Sequence, residues 1–167
     1  ELRSHPVMLS KNSSLAGLKG VRNGIQFDTD LLGAFHVAGS GAGRESTASG
    51  LISDLYALSK SSEISPMSYP DFLNKPDIIN FNDLIFKFYV YLEVKDEPGV
   101  LALISKIFAD HSISFDKVIQ KDQLENGNVP VVIFTDPIIE NEMQIALEDL
   151  RNHPEILNSK IIRIEDL

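Results

Sequence analysis

In the second half of the chain, apolar and polar positions follow one another in patterns that predict a strand and then a helix. Over 86–94 apolar residues alternate with polar or tyrosine residues, which is the period of a half-buried strand. The turn 96–99 interrupts this strand, and its Pro98 suits the first turn of a helix, where a missing N–H costs nothing. Apolar residues then recur at helical spacing from Val100 to about His111.

The remaining pattern predicts a strand, a hairpin turn, a strand, a helix and a final strand. In order these are 113–120, 125–128, 129–135, 143–150 and 161–164. A phase shift between Phe115 and Val118 indicates a β-bulge near 116–117. The order strand–helix–strand–strand–helix–strand predicts a ferredoxin-like βαββαβ fold, a four-stranded antiparallel sheet with two helices on one face. We expect the other face, which carries Tyr89 and Tyr91, to be solvated or part of a dimer contact.

The first sixty residues carry a weaker pattern. Short apolar runs at 7–9, 21–27 and 31–38 predict three strands, and a helix is predicted from about Thr47 to Leu58, capped by Ser46 or Thr47. Three strands and one helix make a poor core. We therefore expect this region to pack against something outside the chain or against a second copy.

A stretch rich in serine and proline separates the two regions and predicts a linker. The expected organisation is a first domain at 1–60, a linker at 61–81 and a second domain at 82–167. The 167 residues contain no cysteine, which excludes disulfides, thiolate chemistry and cysteine metal sites. No apolar run has the length of a membrane span, so no membrane partner is expected.

The net charge of −9 is carried by the second region, since residues 61–167 hold nine Lys/Arg against nineteen Asp/Glu. An acidic surface repels phosphate backbones, so nucleic acid is not an expected partner. The four histidines lie at 5, 36, 111 and 153, and none has the spacing of a metal ligand pair. We therefore predict no metal site and no catalytic residue in this chain.

A glycine-rich segment, Gly39-Ser40-Gly41-Ala42-Gly43, lies between an apolar run and the predicted first helix. Glycine lets the backbone approach a ligand closely, and the N–H groups of a helix start attract anions. The segment is not a dinucleotide fingerprint, because its sixth position is Arg44, and it lacks the Gly-Lys of a Walker loop. Both a tight turn and part of a cofactor site remain open.

The turn before the second helix, Asp96–Leu101, also has two interpretations. It is a strand-to-helix connection, and its N–H groups beside Gly99 could bind a small carboxylate. Gln120, a polar residue in an apolar strand, could either face solvent or hydrogen-bond a ligand.

Two sets of residues together resemble one enzyme family. Residues 82–166 resemble an ACT domain, through Asp96-Glu97-Pro98-Gly99-Val100-Leu101 and the helix and strand that follow. Residues 3–58 resemble the end of the catalytic region of homoserine dehydrogenase, through 3–6, 21–25 and the glycine segment followed by Thr47-Ala48-Ser49. In this order they resemble the C-terminal part of homoserine dehydrogenase. The implied fold class is α+β, a partial α/β catalytic-domain remnant followed by a ferredoxin-like ACT domain.

The resemblance implies a parent enzyme that interconverts homoserine and aspartate semialdehyde with NADP or NAD, in threonine, methionine and isoleucine synthesis. It implies that Gly41 and Gly43, with Glu45 on the same rim, lie beside the cofactor. The ACT part implies feedback control by an amino-acid effector, usually threonine. The residues expected to bind that effector are Asp96, Pro98, Gly99, Val100, Leu101, Ile113 and Gln120.

The family's dinucleotide-binding domain and catalytic lysine have no counterpart in these residues, so we expect this fragment to be inactive. We further expect a cytoplasmic homo-oligomer, a dimer. The main alternative is a stand-alone amino-acid-binding regulatory or dimerisation module with no catalytic role, although such a sensor does not need the glycine segment. A structural dimerisation fragment and an RNA-binding ferredoxin-like domain are further alternatives, and the acidic charge opposes the latter.

Overall fold

The computed structural model describes residues 3–60 and 77–165. The chain divides into two compact units, one made of residues 1–9 and 77–167 and the other of residues 10–76. We call their described parts the βαββαβ unit (3–9 and 77–165) and the hairpin–helix unit (10–60). The elements in chain order are β1 (Val7–Leu9), β2 (Arg22–Thr29), β3 (Gly33–Ser40), α1 (Arg44–Lys60), β4 (Ile85–Lys95), α2 (Val100–Asp110), β5 (Phe115–Gln120), β6 (Asn128–Thr135), β7 (Ile138–Ile139), α3 (Glu140–Arg151) and β8 (Ile156–Glu165).

The sheet of the βαββαβ unit has the strand order β1-β8-β4-β6-β5, and the short β7 pairs with β4. Strands β8, β4, β6 and β5 are antiparallel neighbours, as the split βαβ rule predicts. The predicted fold class, with its ferredoxin-like βαββαβ part, is confirmed. The predicted bulge is also present, because the β5–β6 register shifts between Phe115 and Lys117.

One strand was not expected in this sheet. β1 pairs in parallel with the end of β8, so that Val7 lies opposite Arg163 and Leu9 opposite Glu165. The sequence pattern placed this run in the first domain, at 1–60, whereas its hydrogen bonds are to the last strand of the second. The predicted boundaries of the linker at 61–81 remain a prediction, since residues 61–76 lie outside the described ones.

The core lies between the sheet and the two helices. Alternate residues of β4, Phe88, Val90 and Leu92, are fully buried, as the period of two predicts. Ile104 of α2 and Leu147 of α3 are fully buried against them. Each such side chain contributes roughly 1.5–3 kcal/mol through burial, so this unit has a core of its own.

The hairpin–helix unit consists of the antiparallel pair β2–β3 and helix α1. The predicted apolar face of α1 is present, but none of its residues is buried, and Leu51, Ile52 and Leu55 remain 62%, 66% and 66% exposed. A two-stranded ribbon and one helix bury too little surface to form a core. The sequence-based expectation of a poor core agrees with this exposure.

Thr135 provides a test of how the sheet is stabilised. Its buried hydroxyl oxygen accepts a hydrogen bond from the backbone N–H of Phe88 at 3.0 Å. Replacing Thr135 by valine keeps the shape and leaves this N–H unpaired, so we expect a loss of about 1–3 kcal/mol in the free energy of unfolding. Urea unfolding followed by circular dichroism measures the loss. The exposed Ser105→Ala serves as control, with an expected change within about 0.5 kcal/mol.

Candidate functional site

The turn that joins β4 to α2 leaves the start of that helix open. Gly99 is the N-cap residue and has φ 96°, a left-handed conformation that glycine adopts without strain. Within the described residues no side chain caps the helix at this position. The carbonyl of Gly99 accepts the first helical hydrogen bond from Leu103, at 2.9 Å. The N–H of Val100 donates to the carbonyl of Glu97 at 3.4 Å, and the N–H groups that follow it in the first turn are positioned to bind an anion.

A cavity of about 100 Å³ opens beside this turn. It is lined by Val94, Lys95, Asp96, Glu97, Gly99, Val100, Leu101, Ile104, Gln120, Val129 and Val131. Its inner wall is apolar, from β6 and α2, whereas both signs of charge occur at its rim. The carboxylate of Asp96 accepts a hydrogen bond from Gln123 Nε2 at 3.4 Å, which connects the rim to the segment after β5.

The structure brings most of the predicted effector residues together. Asp96, Gly99, Val100, Leu101 and Gln120 all line the cavity, although Gln120 lies on a different element from the other four. Two predicted residues are not among the lining residues.

Pro98 lies within the turn and is exposed, and it does not line the cavity. Ile113 is only 5% exposed and belongs to the hydrophobic core. Its N–H donates to the carbonyl of Phe108 at 2.8 Å, which ties the start of this segment to the end of α2. An apolar residue at the start of a strand can either pack in the core or line a pocket, and the sequence does not distinguish these two positions.

Sequence reasoning missed several lining residues. Lys95 and Glu97 flank the predicted Asp96 and supply the remaining charges of the rim. Val129 and Val131 form the wall, and both are buried. The alternation within β6 could have identified these two valines as neighbours on one face.

The glycine segment forms the connection from β3 to α1. The N–H of Gly41 donates to the carbonyl of Val21 at 2.8 Å, which extends the β2–β3 ladder by one bond. Gly43 has φ 134°, a conformation that other residues rarely adopt. The segment is therefore a tight turn built on glycine, which was one of its two predicted interpretations.

The predicted start of α1 was wrong. The helix begins at Arg44, three residues before the expected Thr47, so Ser46 and Thr47 lie inside its first turn. Their hydroxyls donate to the carbonyl of Gly43 at 3.0 and 2.8 Å and do not cap N–H groups. A helical Ser or Thr bonds back to a preceding carbonyl in this way, whereas the sequence favoured capping.

A broad cleft of about 420 Å³ lies at this turn. Of the predicted cofactor residues, Gly43 and Glu45 line it and Gly41 does not. Arg44, which the sequence analysis used only to reject the dinucleotide fingerprint, also lines it. A guanidinium group at the start of a helix is suited to bind an anion such as a phosphate.

Gly41 packs closely against Asn23, and this contact can be tested. A Cβ at position 41 would overlap the side-chain amide of Asn23, whereas one at Gly39 would meet nothing within 4 Å. We expect Gly41→Ala to accelerate amide exchange at position 41, by weakening its bond to Val21. The double variant with Asn23→Ala is expected to restore the rate, and Gly39→Ala to leave it unchanged. An unaltered rate in Gly41→Ala would contradict the close packing.

Polar interactions elsewhere in the βαββαβ unit are structural. The Asn128 amide, at 2.7 Å, and the Asn126 amide, at 2.9 Å, donate to the carboxylate of Glu93. These hydrogen bonds, first from Asn128 and then from Asn126, lower the pKa of Glu93. His111 closes α2, as predicted, and its ring nitrogen lies 2.7 Å from Asp149 of α3.

The described residues contain no cluster of three side chains suited to hold a metal ion. Within the same residues no helix has the length and apolar content to cross a membrane.

Comparison with known proteins shows similarity to one family. The family model described as homoserine dehydrogenase matches residues 1–56. A homoserine dehydrogenase of Helicobacter pylori is 35% identical to the chain over 170 residues, which cover 99% of the chain and 39% of that protein. The chain is homologous to homoserine dehydrogenase. A homoserine dehydrogenase of Pseudomonas aeruginosa is 29% identical over 176 residues, 100% of the chain and 41% of that protein.

A solved structure agrees with this assignment. The homoserine dehydrogenase of Thiobacillus denitrificans has a TM-score of 0.79 at 28% identity, over 97% of the chain and 38% of that protein. The chain therefore spans about 40% of the length of the homoserine dehydrogenases that it matches. This share is consistent with the predicted C-terminal part.

Proposed function

We propose that the chain is the C-terminal part of a homoserine dehydrogenase and that its βαββαβ unit is an ACT domain that binds an amino-acid effector. The observation that carries the proposal is the cavity beside the uncapped start of α2, with Lys95 and Asp96 at its rim. An amino acid carries a carboxylate and an ammonium group close together, and a site for it needs both signs of charge.

The cavity has a partner for each group of such a ligand. The carboxylate would bind the N–H groups after Gly99, supported by the ammonium group of Lys95. The ammonium group of the ligand would bind Asp96 or Glu97, and Gln120 would hydrogen-bond a side-chain hydroxyl. The volume of about 100 Å³ and the apolar wall of Val129 and Val131 favour a small, partly apolar side chain. Threonine meets these conditions, so we propose it as the effector in feedback control.

The hairpin–helix unit would contribute one wall of the cofactor site. In the parent enzyme, which interconverts homoserine and aspartate semialdehyde, NADP or NAD would lie beside Gly43 and Glu45, with Gly41 shaping the turn. Arg44 would add a positive charge at the helix start. We propose that the 167 residues alone have no dehydrogenase activity.

The exposed apolar side chains of α1 support an oligomer, because contiguous exposed apolar surface marks an interaction site. We propose a homodimer of the parent enzyme in the cytoplasm.

Calorimetric titration of the purified 167-residue chain with L-threonine, L-isoleucine, L-methionine and L-homoserine tests the proposal. Saturable heat with L-threonine is expected. Gln120→Ala should weaken that binding about tenfold, the effect of one lost hydrogen bond of about 1.4 kcal/mol. Gln26→Ala, in the other unit, is the matched control and should bind as the unmodified chain does. Absence of heat with all four amino acids would refute the effector site.

A further inference from the structure

The hairpin–helix unit is an insertion within the βαββαβ unit. The chain enters it directly after β1 and returns from it at residue 77, and both flanking segments belong to the βαββαβ unit. The entry segment is held by the last strand, because β1 pairs in parallel with residues Arg163–Glu165 of β8. Movement of the end of β8 therefore acts directly on the chain that leads into the hairpin–helix unit.

Both connections meet at one cluster of side chains. The ring of Phe81, just after the return, lies 4.7 Å from the guanidinium carbon of Arg3 and 4.8 Å from that of Arg163. Arg3, just before β1, also pairs with Glu165 at 3.4 Å. We call Arg3, Phe81, Arg163 and Glu165 the arginine clasp. Planar guanidinium groups stack on aromatic faces, so the clasp fastens the entry and the return of the chain together.

The clasp is anchored in the core. Arg163 donates two hydrogen bonds to the carboxylate of Glu140, which is fully buried. Glu140 begins α3, and its backbone N–H donates to the carbonyl of Leu84 at 2.8 Å. A buried carboxylate without its charged partner is strongly destabilising. Displacing Arg163 from Glu140 would therefore carry a large free-energy cost.

The strands β4 and β8 connect the clasp to the effector cavity. At one end of β4, the ring centroid of Phe86 lies 4.3 Å from the guanidinium carbon of Arg3. At the other end Val94 and Lys95 line the cavity. The β4–β8 register shifts between Glu93 and Val94, directly beside the cavity. A bulge interrupts the ladder of hydrogen bonds, so a ligand can alter the pairing of the two strands most easily there.

We propose that residues 3–9 form a strap that transmits the occupancy of the effector cavity to the hairpin–helix unit through β8 and the clasp. This inference rests on the amino-acid binding proposed above. A ligand that orders the bulge stabilises β8, strengthens its pairing with β1 and restrains the entry to the hairpin–helix unit. Since coupling free energies are reciprocal, releasing the strap weakens ligand binding.

Amide hydrogen exchange of the 167-residue chain, with and without saturating L-threonine, tests the strap. In the unmodified chain L-threonine should slow exchange at Gly99 and Val100, at 163–165 and in β2, the last by about threefold or more. In Arg3→Ala, saturating L-threonine should still slow exchange at Gly99 and Val100, although the affinity for L-threonine is reduced several-fold. The slowing of exchange in β2 should be lost. Ser4→Ala, exposed and next in sequence, should behave as the unmodified chain. If Arg3→Ala does not fold, Arg3→Lys replaces it, since lysine loses the stacked plane but keeps the charge.

The outcomes separate the two proposals. Slowing at Gly99 and Val100 with no change in β2 of the unmodified chain would overturn the strap and leave the effector site standing. The same holds if Arg3→Ala keeps the full response in β2. If saturating L-threonine does not slow exchange at Gly99 and Val100, the proposed threonine site is refuted, and the strap with it.

Discussion

Replacing Arg163 by alanine is expected to lower the free energy of unfolding of the βαββαβ unit by about 3–5 kcal/mol. The reason is its partner, Glu140, whose side chain has no exposed surface and accepts from Arg163 Nε at 2.7 Å and from Nη2. Without the guanidinium group the carboxylate retains, among the described side chains, the amide of Gln144 at 2.7 Å. One neutral hydrogen bond does not offset the desolvation of a charge. Urea unfolding followed by circular dichroism measures the change.

Two further variants define the cause. Arg151 is the last residue of α3; it is exposed and its Nε donates to the hydroxyl of Ser159, so Arg151→Ala should cost no more than about 1 kcal/mol. The double variant Glu140→Met with Arg163→Met removes both charges and should recover most of the loss. A cost below about 1 kcal/mol for Arg163→Ala would contradict the buried pair.

Replacing Gly99 by alanine is expected to weaken the proposed binding of threonine more than tenfold. The left-handed φ of 96° costs a residue with a Cβ about 1–2 kcal/mol, so the turn relaxes and the N–H groups of the helix start no longer converge on the cavity. Among the described residues no atom lies within 4 Å of the added Cβ, which excludes a clash with the protein itself as the cause. Calorimetric titration with L-threonine measures the affinity.

Gly127 provides the matched control. It also has a positive φ, 82°, with nothing within 4 Å of an added Cβ, but it lies in the β5–β6 turn and does not line the cavity. Gly127→Ala should therefore lose similar stability and retain its affinity within about twofold. Equal loss of affinity in the two variants would show that strain anywhere in the unit, and not the turn at Gly99, abolishes binding.

The regular elements of the βαββαβ unit were predictable because burial on one face imposes a period. The alternation over Phe88, Val90 and Leu92 identified β4, and the interrupted phase of β5 located its bulge. The turn at 96–99 was predictable from Pro98 and Gly99, whose backbone preferences are local.

Features that depend on distant partners were not predictable. β1 is a run of three apolar residues, and it pairs with a strand more than 150 residues later in the chain. No local periodicity in the sequence indicates this pairing. From the sequence alone, Glu140 would be taken for an exposed acidic residue at a helix start. Its burial depends on the ion pair with Arg163, which lies 23 residues later. Within the candidate site, the assignment of Ile113 to the effector site stays a prediction, because an apolar side chain in a sequence does not reveal whether it fills a cavity or the core, and Ile113 is buried in the core.

Amide chemical shifts of the 167-residue chain during titration with L-threonine test whether an amino-acid effector site lies at the start of α2. Such a site should give saturable shifts that are largest over 96–101 and at Gln120, with much smaller shifts at 41–45. Saturable shifts centred on 41–45, or no saturable shift with any of the four amino acids, would contradict it.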